Sequence, residues 1–492
     1  MSRAAIQDGA GVWNDAALSI EKGHFFALLE ERQITCFASV TDNSGAFVVM
    51  DEVAQEAGVL HVPLPAFFTP AQIDHALVAC GAQYLIVEGS PEHSRRPGRA
   101  VRSLTICHRP LQVLALPVRS IERPPGTFRV SFTSGSTGQP KGVCLSREGV
   151  MGTAHALVAA TEAIGLRRHL SALPFSVLLE NVAGLIAPRL RGDVECVMPP
   201  LAELGLTGSS SLDVARMDAS VRQYQPDSLI LLPQMLRAWC AWLRAYDKRA
   251  PDSLKFVAVG GATVGERLVA SAHGLGIPAY EGYGLTEAGS VLTLNLPGQS
   301  EPGSVGRVLP HAQLRVSPQG EVEIQSPGFL GYAGMSRDPS SWWPTGDLGS
   351  IDEGGFVRLT GRRSNLLITG FGRNVSPEWV ETALRDQPAI DEAVVFGEGE
   401  PTLWAVVWSS ATPEAISAAI RQANHELPDY ARIGHWCPAV APFSMQSGLA
   451  TANGRPRRDR ILDQHRDRAL LRVGDRGALH INKSSFSFIS ND

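Results

Sequence analysis

One stretch constrains this chain more than any other: Ser131-Phe-Thr-Ser-Gly-Ser-Thr-Gly-Gln-Pro-Lys-Gly142. An alternating strand, Thr127–Phe132, runs into a loop of small residues. Gly135 and Gly138 let the backbone come close to a polyphosphate. Thr133, Ser134, Ser136 and Thr137 supply hydroxyl donors, and Lys141 supplies a cation. A Walker A loop needs GxxxxGK[ST]; here the lysine lies between Pro140 and Gly142, so that template fails. A plain Ser/Gly surface loop has no need of so ordered a string.

The rest of the chain reads as an α/β protein built around this loop. With 492 residues, two or three domains are expected. Strands at Ile34–Val40, Gln83–Val87, Val194–Met198, Ser228–Leu232 and Leu254–Val259 alternate with helical segments. Those segments are Ala46–Ala57, Pro70–Ala79, Glu148–Leu166, Leu212–Gln223 and Gln234–Tyr246. Such alternation predicts βαβ units and parallel sheets. Thr69 with Pro70 reads as a helix start, and Thr207–Ser211 as a loop. From Val305 to Thr360, short strands with turns at Ser317–Gly320 and Asp352–Gly355 give antiparallel, barrel-like character. After Gly361, strands at Ala393–Phe396 and Leu403–Val407 mix with helices at Pro377–Arg385 and Pro413–Ala423, a separate α+β domain.

Composition excludes several classes of function. Net charge is −5, so no nucleic-acid partner is expected. No apolar run reaches the roughly 18 residues of a membrane span, and Met1–Gly11 lacks a secretory pattern. The seven cysteines form no CxxC pair, and the 13 histidines form no HExxH pattern. A reduced, cytoplasmic protein is the expectation. The arginine-rich stretch from Arg455 to Arg476 reads as a solvated helix face.

The Ser131–Gly142 string resembles the phosphate loop of the adenylate-forming superfamily: acyl-CoA synthetases, peptide-synthetase adenylation domains and luciferase. Further motifs follow in the family's order. Lys255-Phe-Val-Ala-Val-Gly-Gly-Ala262 resembles its adenine-pocket turn, placing Gly260, Gly261 and Ala262 there. Tyr280-Glu-Gly-Tyr-Gly-Leu-Thr-Glu287 resembles its YGxTE motif. The resemblance implies that Tyr283, beside Gly284, stacks on adenine, Thr286 bonds a phosphate and Glu287 holds Mg²⁺. Trp343-Pro-Thr-Gly-Asp-Leu348 puts Asp347 on the ribose, with Arg362 from Gly361-Arg-Arg-Ser364. Ser364 takes the hinge position, where charged residues are commoner.

The family's catalytic lysine position holds Arg455, within Ser447–Arg458. Two lesser departures are Val177 in a histidine slot and a short N-terminus lacking an opening strand pair. The resemblance implies a large N-terminal AMP-binding domain (1–360), a smaller mobile lid domain (361–475) and a tail (476–492). It also implies ATP- and Mg²⁺-dependent activation of a carboxylic acid, a medium- or long-chain fatty acid first. The acyl group then passes to CoA or to the phosphopantetheine of an acyl carrier protein. The acid is expected between Leu173–Leu185 and Gly260–Tyr283. An aryl- or amino-acid adenylating enzyme is the alternative. A nucleotide- or acyl-binding protein without adenylation is the reading that Arg455 suggests.

Overall fold

The structure, a computed structural model, describes residues 3–89, 98–117, 121–133, 140–207, 211–370, 373–451, 454–465, 468 and 471–473. Two compact units divide the chain. One runs to Arg315 and adds Glu323–Trp343 and Ile351–Val357; the other takes Val316–Val322, Pro344–Ser350 and the chain from Arg358 on.

The first unit is built on two sheets whose central strands are apolar and covered on both faces. Among the described residues the larger has nine strands. From one edge these are Arg307–Val308, Ser290–Leu294, Ala279–Leu285, Phe256–Val259, Ser228–Leu231, Arg168–Leu170, Glu195–Met198, Ile6–Asp8 and Gly11–Trp13. The central strands pair in parallel. Burial on both faces explains why Ser228–Leu231 is buried at every position. The pleat sends successive side chains into different cores. Val257 and Val259 join Trp239, Leu236 and Met217, whereas Phe256 joins Leu157, Val182 and Ile186.

A five-stranded sheet orders Leu60–Pro63, Cys36–Val40, Tyr84–Glu88, Arg109–Ala115 and Arg99–Ile106. The helix Pro70–Cys80 starts where expected: Thr69 and Gln72 form a reciprocal capping box, with Pro70 in the first turn. Helix Gly45–Ala57 carries Asp51 into a buried polar chain. Ser39 Oγ lies 2.7 Å from His61 Nε2, and His61 Nδ1 lies 2.8 Å from Asp51 Oδ1. Arg129 donates to both Asp51 oxygens at 2.9 Å. Ser39 is 1% exposed, so this Ser–His–Asp line is a core tie and not a nucleophilic centre.

Two expectations are corrected. The opening strand pair is present: Ile6–Asp8 and Gly11–Trp13 pair antiparallel, and the former lies parallel to Glu195–Met198. Three-residue strands give too short an alternation to stand out in sequence. Thr207–Ser211 is not simply loop, because Leu206–Thr207 and Ser211–Leu212 form a small antiparallel ladder.

The antiparallel character takes the form of four-stranded sheets. In one, Met335–Ser336, Phe329–Tyr332, Lys141–Ser146 and Thr127–Thr133 are neighbours. The second unit contains the Ser317–Gly320 turn and a sheet of Glu392–Phe396, Leu403–Trp408, Ile433–Pro438 and Leu471–Arg472. Helices Pro377–Arg385 and Pro413–Glu426 pack there through Val380, Leu384, Ile416 and Ile420.

Candidate functional site

The loop opened by Thr133 joins two antiparallel strands, with Thr133 paired to Lys141. Ser134, Gly135, Ser136, Thr137 and Gly138 lie outside the described residues. Lys141 emerges exposed at the start of the return strand. Its Nζ lies 6.0 Å from the centre of the Tyr332 ring, within cation–π range. Tyr332 sits on the next strand, where it pairs with Val143. Its hydroxyl donates to Glu287 Oε1 at 2.9 Å. Burial, reinforced by the Glu287 charge, holds the Tyr332 phenol well above its ordinary range. Tyr332 thus brings the phosphate-loop lysine and the YGxTE glutamate to one place. Sequence reasoning missed it, because Gly331-Tyr332 carries no motif.

Thr286 and Glu287 begin a 3-10 turn that follows strand Ala279–Leu285. That strand shifts register between Tyr283 and Gly284. A Cβ on Gly284 would lie 1.7 Å from the Ser290 carbonyl oxygen, so only glycine lets the two strands close here. Gly260 and Gly261 end the neighbouring parallel strand, and Gly261 takes φ 85°. A Cβ on Gly260 would meet the Gly282 carbonyl oxygen at 3.0 Å. Ala262 follows, half-buried. Gly260–Ala262 and Tyr283–Glu287 therefore lie at the carboxyl ends of adjacent parallel strands, where open α/β sheets bind ligands. One carboxylate is enough protein for Mg²⁺, which takes most of its ligands from water and phosphate.

Glu281, on the same strand, is 7% exposed and accepts a hydrogen bond from Val264 N at 3.1 Å. Burial pushes its carboxyl up to about 7.

In the second unit, Asp347 is 8% exposed and accepts from Arg362 Nε at 2.8 Å. Thr345 Oγ1, anchored on Val322 O, receives the Asp347 N–H and orients the turn. Arg363 pairs with Glu321 at 2.7 Å, and Glu321 also accepts the Gly346 N–H. Ser364 is exposed. Arg455 is exposed at a turn in which Thr451 N donates to Arg455 O at 2.8 Å and Arg455 N donates to Thr451 Oγ1. The arginine stretch is not a uniform solvated face. Arg458 is drawn inward, with NH1 2.7 Å from Glu381 Oε1 and NH2 3.5 Å from Glu378 Oε1.

A cavity of about 80 Å³ lies inside the first unit. Its floor is the sheet face carrying Phe256, Ala258, Ser228 and Ile230, and its roof includes Leu157, Leu179 and Ala183. Leu179 and Ala183 come from the expected acid-binding segment. No residue of Gly260–Tyr283 lines the cavity; the preceding strand does so instead. Leu179 leads directly into a π-helix, Glu180–Ile186, a form that simple apolar periodicity does not announce.

Compared with known proteins, residues 29–334 match the family of AMP-binding enzymes, and residues 365–468 match the AMP-binding enzyme C-terminal domain. A long-chain-fatty-acid–CoA ligase of Mycobacterium bovis is 35% identical over 165 residues, 32% of this chain and 27% of that one. A 2-succinylbenzoate–CoA ligase of Bacillus velezensis is 30% identical over 332 residues, 61% of this chain and 64% of that one. The chain thus spans between about a quarter and two thirds of the length of these curated relatives. The crystal structure of an anthranilate CoA ligase in complex with anthranoyl-AMP has the same fold, with a TM-score of 0.76, 18% identity and 94% of each chain covered.

Proposed function

The chain belongs to the AMP-binding enzyme family, and from that premise we propose that it joins a compact, apolar carboxylic acid to the thiol of coenzyme A through an acyl-adenylate. The observation that carries this reading is the meeting of Lys141, Tyr332 and Glu287 beside the strand ends of Gly260 and Tyr283. In the first step the acid's carboxylate attacks the α-phosphate of ATP and pyrophosphate leaves. In the second the thiol attacks the acyl carbon and AMP leaves. Phosphoryl chemistry of this kind needs positioning and charge neutralisation more than covalent help.

Lys141 neutralises phosphate oxygens, and Thr286 and the hydroxyls of Thr133–Thr137 orient them. Mg²⁺, when bound, supplies the remaining positive charge, and Glu287 holds it. The Tyr332 hydroxyl fixes the Glu287 carboxylate without withdrawing its charge. Tyr283 offers a ring face to the adenine; Asp347 and Arg362 take the ribose, exchanging their mutual bond for its hydroxyls. We place a hinge at Ser364 and assign Arg455 part of the lysine's role. Arginine keeps its charge at every working pH, but it is a planar fork and not a point cation.

For the acid, the cavity argues for a small apolar body. An apolar cavity of about 150 Å³ holds a benzene ring, so this one, about half that, must widen to take even a single ring. A long fatty chain would need the cavity to open much further. Relatives act on fatty and aryl acids alike by name, so size is what separates the two readings here. The test is carboxylate-dependent exchange of pyrophosphate into ATP across short aryl acids, fatty acids of increasing length and amino acids. Exchange with the short aryl acids, falling off along the fatty series, is expected. Best use of long-chain acids would reinstate the fatty-acid reading, and no exchange with any acid would favour a binding protein without adenylation.

A further inference from the structure

We propose that the acid carries an oxygen-bearing group at the end remote from its carboxylate, and that Ser228 and Arg191 receive that group. The inference rests on the cavity being the acid's seat. The sheet sets the cavity's direction. Gly260 and Tyr283 mark the carboxyl ends of the parallel strands, where the reacting carboxylate belongs. Phe256, Ser228 and His169 form one row across the opposite ends of three strands, because Ser228 is in register with both Phe256 and His169. Phe256 lies four residues before Gly260, roughly 13 Å at the rise of a strand. The row is therefore the far end of the cavity.

That far end is polar where the rest is apolar. Ser228, His169 and Arg191 all line the cavity among leucines, valines and alanines. His169 Nδ1 lies 3.0 Å from Ser228 Oγ, and Nε2 lies 3.1 Å from Glu180 Oε1 on the π-helix. Glu180 is 0% exposed and His169 4%. The chain Glu180–His169–Ser228 has two consistent proton arrangements. With Glu180 ionised, His169 donates to it and accepts from Ser228, which then presents lone pairs to a ligand. With Glu180 protonated, each bond reverses and the Ser228 hydroxyl is released to donate. Burial moves the Glu180 carboxyl upward, which makes the second arrangement accessible.

Arg191 supplies the independent observation. Its Nε and NH2 are engaged by Asp193, at 2.7 and 3.5 Å. Its NH1 is buried and has no hydrogen-bond partner among the described residues. A buried guanidinium N–H without a partner is costly until an acceptor meets it, and Arg191 is one of the residues that line the cavity. Arg191 only donates, and Ser228 donates in one of its two arrangements. The ligand group both can recognise is an oxygen acceptor: a hydroxyl or a second carboxylate.

The test uses the full-length protein and three acids of one skeleton: 3-phenylpropionate, its 4-hydroxy derivative and its 4-carboxy derivative. The readout is the ratio of kcat/KM in pyrophosphate exchange, tipped acid over plain acid. One or both tipped acids should be preferred by about fivefold or more in the wild type, the worth of one buried hydrogen bond. Ser228→Ala should bring the 4-hydroxy ratio towards one, and Arg191→Met should do so for the 4-carboxy ratio, which tells the two sources apart. Equal use of all three acids by the wild type overturns the proposal. So does an unchanged ratio in both variants, since a purely structural Ser228–His169–Glu180 tie would alter stability and leave the ratio alone. If none of the three supports exchange, the wider acid screen decides adenylation, and calorimetric binding of the same three acids decides this proposal. Tipped-acid preference lost in the variants sustains it; equal binding, or none, overturns it.

Discussion

At the scale of single residues, the site depends on where charge is held and where it is withheld. Glu287 keeps a half-buried position through one bond to Tyr332. Glu287→Gln preserves shape and removes the charge for Mg²⁺, so pyrophosphate exchange should fall on the order of a hundredfold or more, with the unfolding midpoint little changed. Exchange at the wild-type rate would dismiss Glu287 as the metal ligand. Tyr332→Phe should cost about tenfold, because it frees the carboxylate without removing it. Glu281 makes a separate prediction about pH. Its folded pKa, about 7, lies above the ordinary carboxyl value because the site is buried. The folded state therefore holds the proton more tightly than the unfolded chain. Its stabilising contribution is complete below about pH 4 and is lost as pH rises towards 7. Glu281→Gln should remove that loss: relative to wild type the variant gains up to about 3 kcal/mol between pH 4 and pH 8 in urea unfolding. A wild-type–variant difference that does not vary with pH would refute the assignment. No motif role falls on Glu281 in the sequence; burial beneath the covering chain is what raises its carboxyl.

At the scale of elements, glycines mark where backbones approach too closely for a side chain. Gly284→Ala forces a Cβ onto the Ser290 carbonyl. The bulge must open, with a cost of about 1–3 kcal/mol by the usual penalty of overpacking. Because Tyr283 and Thr286 hang from the same bulge, exchange should fall more steeply than stability does. A Gly284→Ala variant with lowered stability but unchanged KM for ATP would separate the bulge from nucleotide binding. The buried tie of Arg129 to Asp51 works between elements as well, joining the Thr127–Thr133 strand to helix Gly45–Ala57. Burial alone would raise the Asp51 carboxyl, but the Arg129 charge and the His61 bond outweigh it and hold it well below the usual range. A depressed carboxyl contributes stability above its unfolded pKa, lost as pH falls through the acid range. Asp51→Asn should therefore destabilise by about 3–5 kcal/mol at pH 7, leaving Arg129 buried and unpaired, and by only modestly less near pH 3, where the folded carboxyl still holds its charge. Thermal unfolding of both proteins at the two pH values checks this.

At the scale of the whole molecule, the proposed chemistry has two steps, and we assign Arg455 to the first. Arg455→Ala should cripple pyrophosphate exchange and spare thioester formation from a supplied acyl-adenylate, because the cation serves only adenylation. Arg455→Lys should hold or raise exchange. Exchange unchanged in Arg455→Ala would mean that another group supplies the charge. We read residues 361–475 as the lid domain and 1–360 as the AMP-binding domain, although the compact units do not part at one point. Val316–Val322 and Pro344–Ser350 group with the chain after Arg358. A cut in sequence is a single position, whereas a compact unit collects whichever strands pair, so hairpins near a boundary change sides.

The sequence by itself determined the class of fold, the family and the order of its motifs. Those signals are local: a strand of buried residues, a Pro-primed helix start, or a glycine loop needs only its neighbours in the chain to be recognised. It singled out Lys141, Glu287, Asp347 and Arg455 as candidates, because each stands inside such a string. Tertiary structure alone decided what surrounds them. Tyr332 meets Glu287 across 45 positions, Arg458 leaves the exposed row for Glu381, and the apolar cavity is walled by strands, two α-helices and a π-helix. Which acid fits depends on volume and on unpaired polar atoms. Both are properties of packed surfaces brought together from distant segments, and no periodicity along the chain encodes them.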